Sequence, residues 1–179
     1  MLGHAVWSIQ ERSERFAEFV ELTDRLLRVG ATNYDGRYYS AVEARTWPGC
    51  VQQPRVPFAI AAIGPKGMQV AARHGAVWVT TGDRSPDAML SAAEGAAVVA
   101  EQMGRLDAAC AAVGRDPSTL QRLVLLGVGL AAGLSSVGEF QDTVGHYAEA
   151  GVTDLVVHWP RPSEPFAGDV ATFESVISA

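Results

Sequence analysis

Between Ile9 and Arg28 the residues Phe16, Phe19, Val20, Thr23, Leu26 and Leu27 recur at three- and four-residue intervals, with Glu14, Glu18, Glu21 and Arg25 mostly between them. This is the spacing of one face of an amphipathic helix. Ser8-Ile9-Gln10-Glu11 ahead of it has the S-x-x-E form of a capping box, and Gly30 supplies a stop. From Pro57 the pattern changes to short apolar runs separated by helical stretches. It predicts a strand over 58–63, a helix over 65–74 and a strand over 76–81. Ser85-Pro86-Asp87 then offers an N-cap, a proline at the first helical position and an acid in the first turn, predicting a long helix to about Val113. Further on come a strand over 122–129 and a helix capped by Ser135 or Ser136, with Val137, Phe140, Val144 and Tyr147 on one face and Gly151 at its end. A strand over 154–159 and a short helix from about Asp169 close the chain.

Residues 31–57 interrupt this order. Asp35-Gly36 between β-prone pieces predicts a hairpin, and the proline-bearing segment after it predicts an ordered loop. Strands that read as continuous Val, Ile, Leu and Ala runs belong to parallel sheets covered by helices, so the class is α/β. The chain, residues 1–179, is read as a single domain with the excursion at about 31–57.

Composition narrows the partners. Hydrophobic residues make up 48% of the chain and charged residues 19%, which suits a domain that buries a core. A formal net charge of −6 and the lack of a basic stripe argue against nucleic acid. Cys50 and Cys110 have no metal spacing, no secretory leader opens the chain, and no apolar run reaches the roughly 20 residues that span a bilayer. The expectation is a cytoplasmic protein with no membrane partner.

The chemistry concentrates in residues 58–82, FAIAAIGPKGMQVAARHGAVWVTTG. A strand running through Gly64-Pro65-Lys66-Gly67 into a helix aims the first free N–H groups at the strand end, where an anion is favoured. Thr80-Thr81-Gly82 ends the neighbouring strand and adds two hydroxyls and a backbone amide, so the two turns together could cradle a phosphate. The same glycines also serve a plain strand-to-helix turn, and Lys66 also reads as a solvated first-turn lysine. Trp7 reads as an apolar anchor ahead of the first helix. His158 reads as a structural histidine or as a ligand contact and proton donor. His4, His74 and His146 form no metal set. GVGLAAG (127–133) lacks the third glycine of a dinucleotide fingerprint, and GLSSVG (133–138) is not a nucleophile elbow.

The segments ERFAEFVELTDRLL with YDGRYY, QQPRVPFAIAAIGPKGMQVAARHGAVWVTTG, and HYAEAGVTDLVVHWP, in this order, resemble the luciferase-like monooxygenase superfamily of flavin- and coenzyme F420-dependent oxidoreductases. The resemblance implies a partial TIM (β/α)8 barrel. It covers approximately units four to eight, with the stub before Trp7 as the end of the fourth strand and the first three units missing. It further implies that FMN or F420 is held by its phosphate at Ile63, Gly64, Pro65, Lys66, Gly67, Thr80, Thr81 and Gly82, with Trp7 and His158 on the ring or substrate side. No metal is expected. The open ends of such a strand row predict a homodimer or a complementing chain, and a non-catalytic half-barrel that keeps only the phosphate corner is the alternative.

Overall fold

The computed structural model describes residues 6–82, 89–164 and 166–179. Helix α1 (Ile9–Arg28) begins at Ser8, whose hydroxyl accepts from the Glu11 N–H at 3.1 Å. Glu11 itself turns to Arg15 rather than back to the cap. Strands β1 (Thr32–Asp35) and β2 (Ser40–Ala44) form the expected antiparallel hairpin as a separate two-stranded sheet. Glu18 fastens its tip to α1 by accepting from the N–H groups of Tyr38 and Tyr39, each at 2.8 Å.

The main sheet has four parallel strands in the order β3 (Ala59–Ala61), β4 (Val77–Thr80), β5 (Gln121–Leu125) and β6 (Asp154–Val156). Between and after them lie α2 (Pro65–His74), α3 (Ala92–Ala112), α4 (Val137–Glu149) and α5 (Val170–Ile177). Each strand is followed by a helix and pairs in parallel with the next strand, which is the repeating geometry of an arc of a (β/α)8 barrel. The strands are shorter than the apolar runs that announced them. Beyond Leu125 the chain turns through Gly127 and Gly129, at φ +86° and +85°, and Pro160 follows β6 closely, so pairing stops near Leu125↔Val156.

Alternation along the strands sorts the two faces. Ile60, Trp78, Thr80 and Val124 are buried toward the helices, where Val99, Met103, Leu106 and Tyr147 complete the core. The other face carries Ala61, Val79, Leu123, Leu125 and Val156, all at least partly exposed. The sheet is therefore apolar on both faces but covered on one, which explains the unbroken apolar runs in the sequence.

The start signals Ser85-Pro86-Asp87 and the strand stub in residues 1–5 lie outside the described residues. The helix itself, α3, starts at Ala92, later than the predicted start at Ser85. Ser91 and Glu94 form a reciprocal capping box, and Leu90 forms a bridge to Leu130, so the chain is extended immediately before it. Two helical faces also differ from expectation. In α1 the buried residues are Val20 and Leu22, while Phe16 and Phe19 are 36% and 51% exposed. In α4 Thr143 and Tyr147 are buried, while Val144 is 39% exposed, because the helix rests on Gly95 of α3 and on Gly133 through Tyr147 and Thr143.

Candidate functional site

Among the residues expected to form the site, Ile63 to Gly67 come together at the C-terminal end of β3. They line one wall of a cleft of ≈ 980 Å³ whose opposite wall is the first two turns of α1, with Ile9, Gln10, Arg12, Ser13 and Phe16. Gly64 is the N-cap of α2, at φ −94° and ψ 159°, with no side chain to occupy the cap, and Pro65 is the first helical residue. The intrahelical ladder opens with the Met68 N–H donating to the Gly64 carbonyl at 2.9 Å. Since proline has no N–H, the amides of Lys66 and Gly67 are the first-turn donors outside that ladder. A Cβ on Gly64 would meet nothing within 4 Å, so the cap faces open space. A Cβ on Gly67 would come 3.0 Å from the Ala62 Cβ, so this glycine brings α2 close to the end of β3.

Charge around the cleft is mixed but organised. Lys66 is exposed, and its Nζ lies 3.6 Å from Glu14. Glu14 is already held by the Tyr38 hydroxyl at 2.7 Å, the Gln10 amide at 2.8 Å and Arg37 at 3.0 Å. These bonds, the Tyr38 hydroxyl first, hold its carboxyl down to about 2, so it is ionised throughout the ordinary range. Arg12 contributes a second cation to the cleft wall. Arg12 is not among the residues that the sequence pattern singles out. The signal was present in the i, i+3, i+4, i+7 relation of Ile9, Arg12, Ser13 and Phe16, masked by the assumption that Phe16 faces the core.

The neighbouring strand end is built differently from expectation. Thr80 is buried toward α3, where its hydroxyl donates to Gln102 Oε1 at 2.6 Å and accepts from the Gly82 N–H at 3.1 Å. Gln102 in turn donates to the Gly82 carbonyl at 3.1 Å. The Thr80 hydroxyl and the Gly82 amide are thus engaged inside the protein, because Thr80 shares the inward register of Trp78. Gly82 is at φ +85°, and a Cβ there would meet Leu130 Cδ2 at 2.7 Å. Thr81, one residue on, is partly exposed at the strand end.

Trp7 and His158 are not brought together. Trp7 lies beside α1, with the Arg15 guanidinium 4.2 Å from its ring centre and 4.4 Å from that of Tyr38. His158 follows β6 and lines a separate cavity. Among the described residues no group of three or more His, Cys, Asp or Glu is placed to hold a metal, and no helix is long and apolar enough to cross a membrane.

Comparison with known proteins agrees with this geometry. No curated protein matches the chain by sequence. Among solved structures it is similar to an F420-dependent secondary alcohol dehydrogenase in complex with an F420–acetone adduct, with TM-score 0.69 and 14% identity, covering 87% of this chain and 58% of that one. It is similar to the coenzyme F420-dependent tetrahydromethanopterin reductase of Methanopyrus kandleri, with TM-score 0.66 and 13% identity, covering 92% and 61%. A third is a riboflavin lyase with modified FMN and riboflavin, with TM-score 0.55 and 16% identity, covering 79% and 34%. The chain therefore spans less than two thirds of these structures, and the likeness is one of fold. Residues 2–135 match the luciferase-like monooxygenase family. The parallel (β/α) arc, the Gly64-Pro65 turn at its strand end and this match over most of the chain agree: the chain belongs to the luciferase-like monooxygenase family.

Proposed function

We propose that this chain is the part of an F420- or FMN-dependent oxidoreductase that holds the cofactor by its phosphate, in the cleft between the N-terminus of α2 and the first turns of α1. What carries the reading is the open cap at Gly64. Two main-chain donors, the positive end of a ten-residue helix and the cations Arg12 and Lys66 border one cleft. Gly64, Pro65 as turn former, Lys66 and Gly67 supply the seat and Ile63 its floor. Thr80, Thr81 and Gly82 end the adjacent strand and are not among the described residues that line the cleft. When bound, the cofactor supplies the hydride or oxygen chemistry, and the residues named here bind and orient it.

The experiment is a fluorescence titration of the chain with F420 and with FMN. Gly64→Ala leaves binding unchanged within about twofold, because its Cβ enters open space. Gly64→Asp places a carboxylate at the cap. Even with screening in a half-open cleft the repulsion is about 2 kcal/mol, roughly thirtyfold in Kd. It should leave the fold at least as stable, since Asp is a good N-cap. Failure of the parent chain to bind either cofactor at high micromolar concentration would overturn the proposal.

A second reading concerns assembly. The partly exposed apolar sheet face of Ala61, Val79, Leu123, Leu125 and Val156 favours coverage by further polypeptide, from a second copy or a complementing chain. Light scattering tests it, and a clean monomer with the cofactor bound would count against it.

A further inference from the structure

Behind the lining of the α2 cleft stands a carboxylate that is fixed in place. Glu14 is held at once by the Tyr38 hydroxyl at 2.7 Å, the Gln10 amide at 2.8 Å and Arg37 at 3.0 Å, and its Oε1 lies 3.6 Å from Lys66 Nζ. It therefore offsets one of the two cations that border the cleft. The other, Arg12, is exposed on the α1 wall and has no ion-pair partner among the described residues. One uncompensated positive charge remains beside the end of α2. The supply of donors is equally narrow. The Ser13 hydroxyl donates to the Ile9 carbonyl at 2.9 Å and the Gln10 amide is turned to Glu14, which leaves the main-chain amides of Lys66 and Gly67. Ile9, Phe16, Ala61, Ala62 and Ile63 make the rest of the lining largely apolar.

We propose that Glu14 is a specificity-determining residue of this cleft, making it a seat for a singly charged phosphodiester and not for a doubly charged phosphomonoester. The inference rests on the cofactor reading above and narrows it, since F420 carries a diester and FMN a monoester. A diester presents one charge and two terminal oxygens, matching one uncompensated cation and two amides, and its second ester carbon meets apolar lining. A monoester at neutral pH presents nearly two charges and three terminal oxygens. Its third oxygen would lie against the apolar lining, where unpaired charge is costly. Its second charge would be repelled by Glu14. An anion drawn to the Lys66 ammonium lies on the order of 6–7 Å from that carboxylate, and with solvent screening each added charge is disfavoured roughly fivefold.

The test is a fluorescence titration of the whole chain with three flavins that differ only at the phosphate: riboflavin, FMN and the monomethyl phosphate ester of FMN. In the parent chain the methyl ester is expected to bind about threefold more tightly than FMN, and both more tightly than riboflavin. Glu14→Gln should improve FMN about fivefold more than the ester and so reverse their order. Glu14→Asp, which keeps the charge, should keep the parent's order. Loosening of the hairpin by either variant would act on all three flavins alike and leave the ratio of FMN to ester unmoved. If Glu14→Gln fails to fold, the order in the parent chain still decides. FMN binding more tightly than its ester in the parent, or a ratio indifferent to Glu14→Gln, overturns the inference and leaves the phosphate seat standing. Equal binding of all three flavins overturns the seat and the inference together. Binding of none overturns the inference, and the F420 titration then decides the seat by itself.

Discussion

Gly95→Ala on α3 is expected to destabilise the chain through one side chain on α4. The new Cβ would lie 2.3 Å from the Tyr147 hydroxyl, 2.9 Å from Leu130 Cδ2 and 3.4 Å from Tyr147 Cζ. Tyr147 and Leu130 are both completely buried, so neither swings into solvent to make room. Overpacking of this kind costs typically 1–3 kcal/mol, and the contact calls for about 3. Alanine returns about 1 kcal/mol in helix propensity, leaving a net loss of about 2 kcal/mol. For a chain of this size that lowers Tm by roughly 4–8 °C. Tyr147→Phe removes the atom in closest conflict and also an unpartnered buried hydroxyl, so alone it should be neutral or stabilising by about 1 kcal/mol. In the double variant about half the Gly95→Ala loss should return, a coupling of about 1–2 kcal/mol in urea denaturation. Burial also pushes the Tyr147 phenol up to about 12 from its ordinary 10. The unfolded chain then ionises first, so this contribution to stability is intact below about pH 10, declines as pH rises to about 12, and is missing in Tyr147→Phe. A Gly95→Ala variant as stable as the parent, or effects that add within about 0.5 kcal/mol, would refute the reasoning.

Arg55 is 7% exposed, bonds Asp24 at 2.6 Å and the His74 carbonyl at 2.8 Å, and lies 3.4 Å over the Phe58 ring. Arg55→Ala leaves Asp24 with much of its compensation gone and should cost about 3 kcal/mol, roughly 6–12 °C in Tm by calorimetry; Arg55→Lys, lacking the planar fork, should restore little. Glu14 has its carboxyl lowered to about 2, chiefly by the Tyr38 hydroxyl and then the Gln10 amide, so it favours the docked hairpin above its ordinary 4.5 and loses that effect as pH falls toward 2. Limited proteolysis of the hairpin across that interval should rise in the parent and be flatter in Glu14→Gln. Arg12→Gln should weaken FMN and F420 alike by roughly threefold to tenfold and reduce the salt dependence of binding, as titrations at two ionic strengths would show.

Much of the fold was legible because its start signals are local. Ser8, Pro65 and Ser136 mark helices that begin where their capping chemistry says, and Asp35-Gly36 marks the hairpin. For α3 the start read from Ser85-Pro86 is too early, and the decisive signal is a second S-x-x-E, Ser91 to Glu94, which closes both bonds of the box. Helical faces were less legible where two apolar stripes compete. In α1 the choice between the Phe16–Phe19 side and the Val20–Leu22 side depends on where α2 and the hairpin dock, as the tilted contact of Phe19 with Tyr39 at 6.1 Å illustrates.

The sequence alone determined the alternation of strands and helices, the α/β class, the family resemblance and the Gly64-Pro65 turn at a strand end, because period, capping and turn chemistry act within a few residues. Only the tertiary structure decided which polar groups remain available to a ligand. Thr80 and Thr81 are adjacent in the chain, yet strand alternation and the position of Gln102 commit the first to the core and leave the second at the strand end. Arg12 and Lys66 are far apart in sequence and reach the same cleft because α1 packs beside α2. His158 acquires its stacked, unpartnered environment because the chain returns Phe166 onto it. Such contacts join residues distant along the chain, and local spacing carries no record of them.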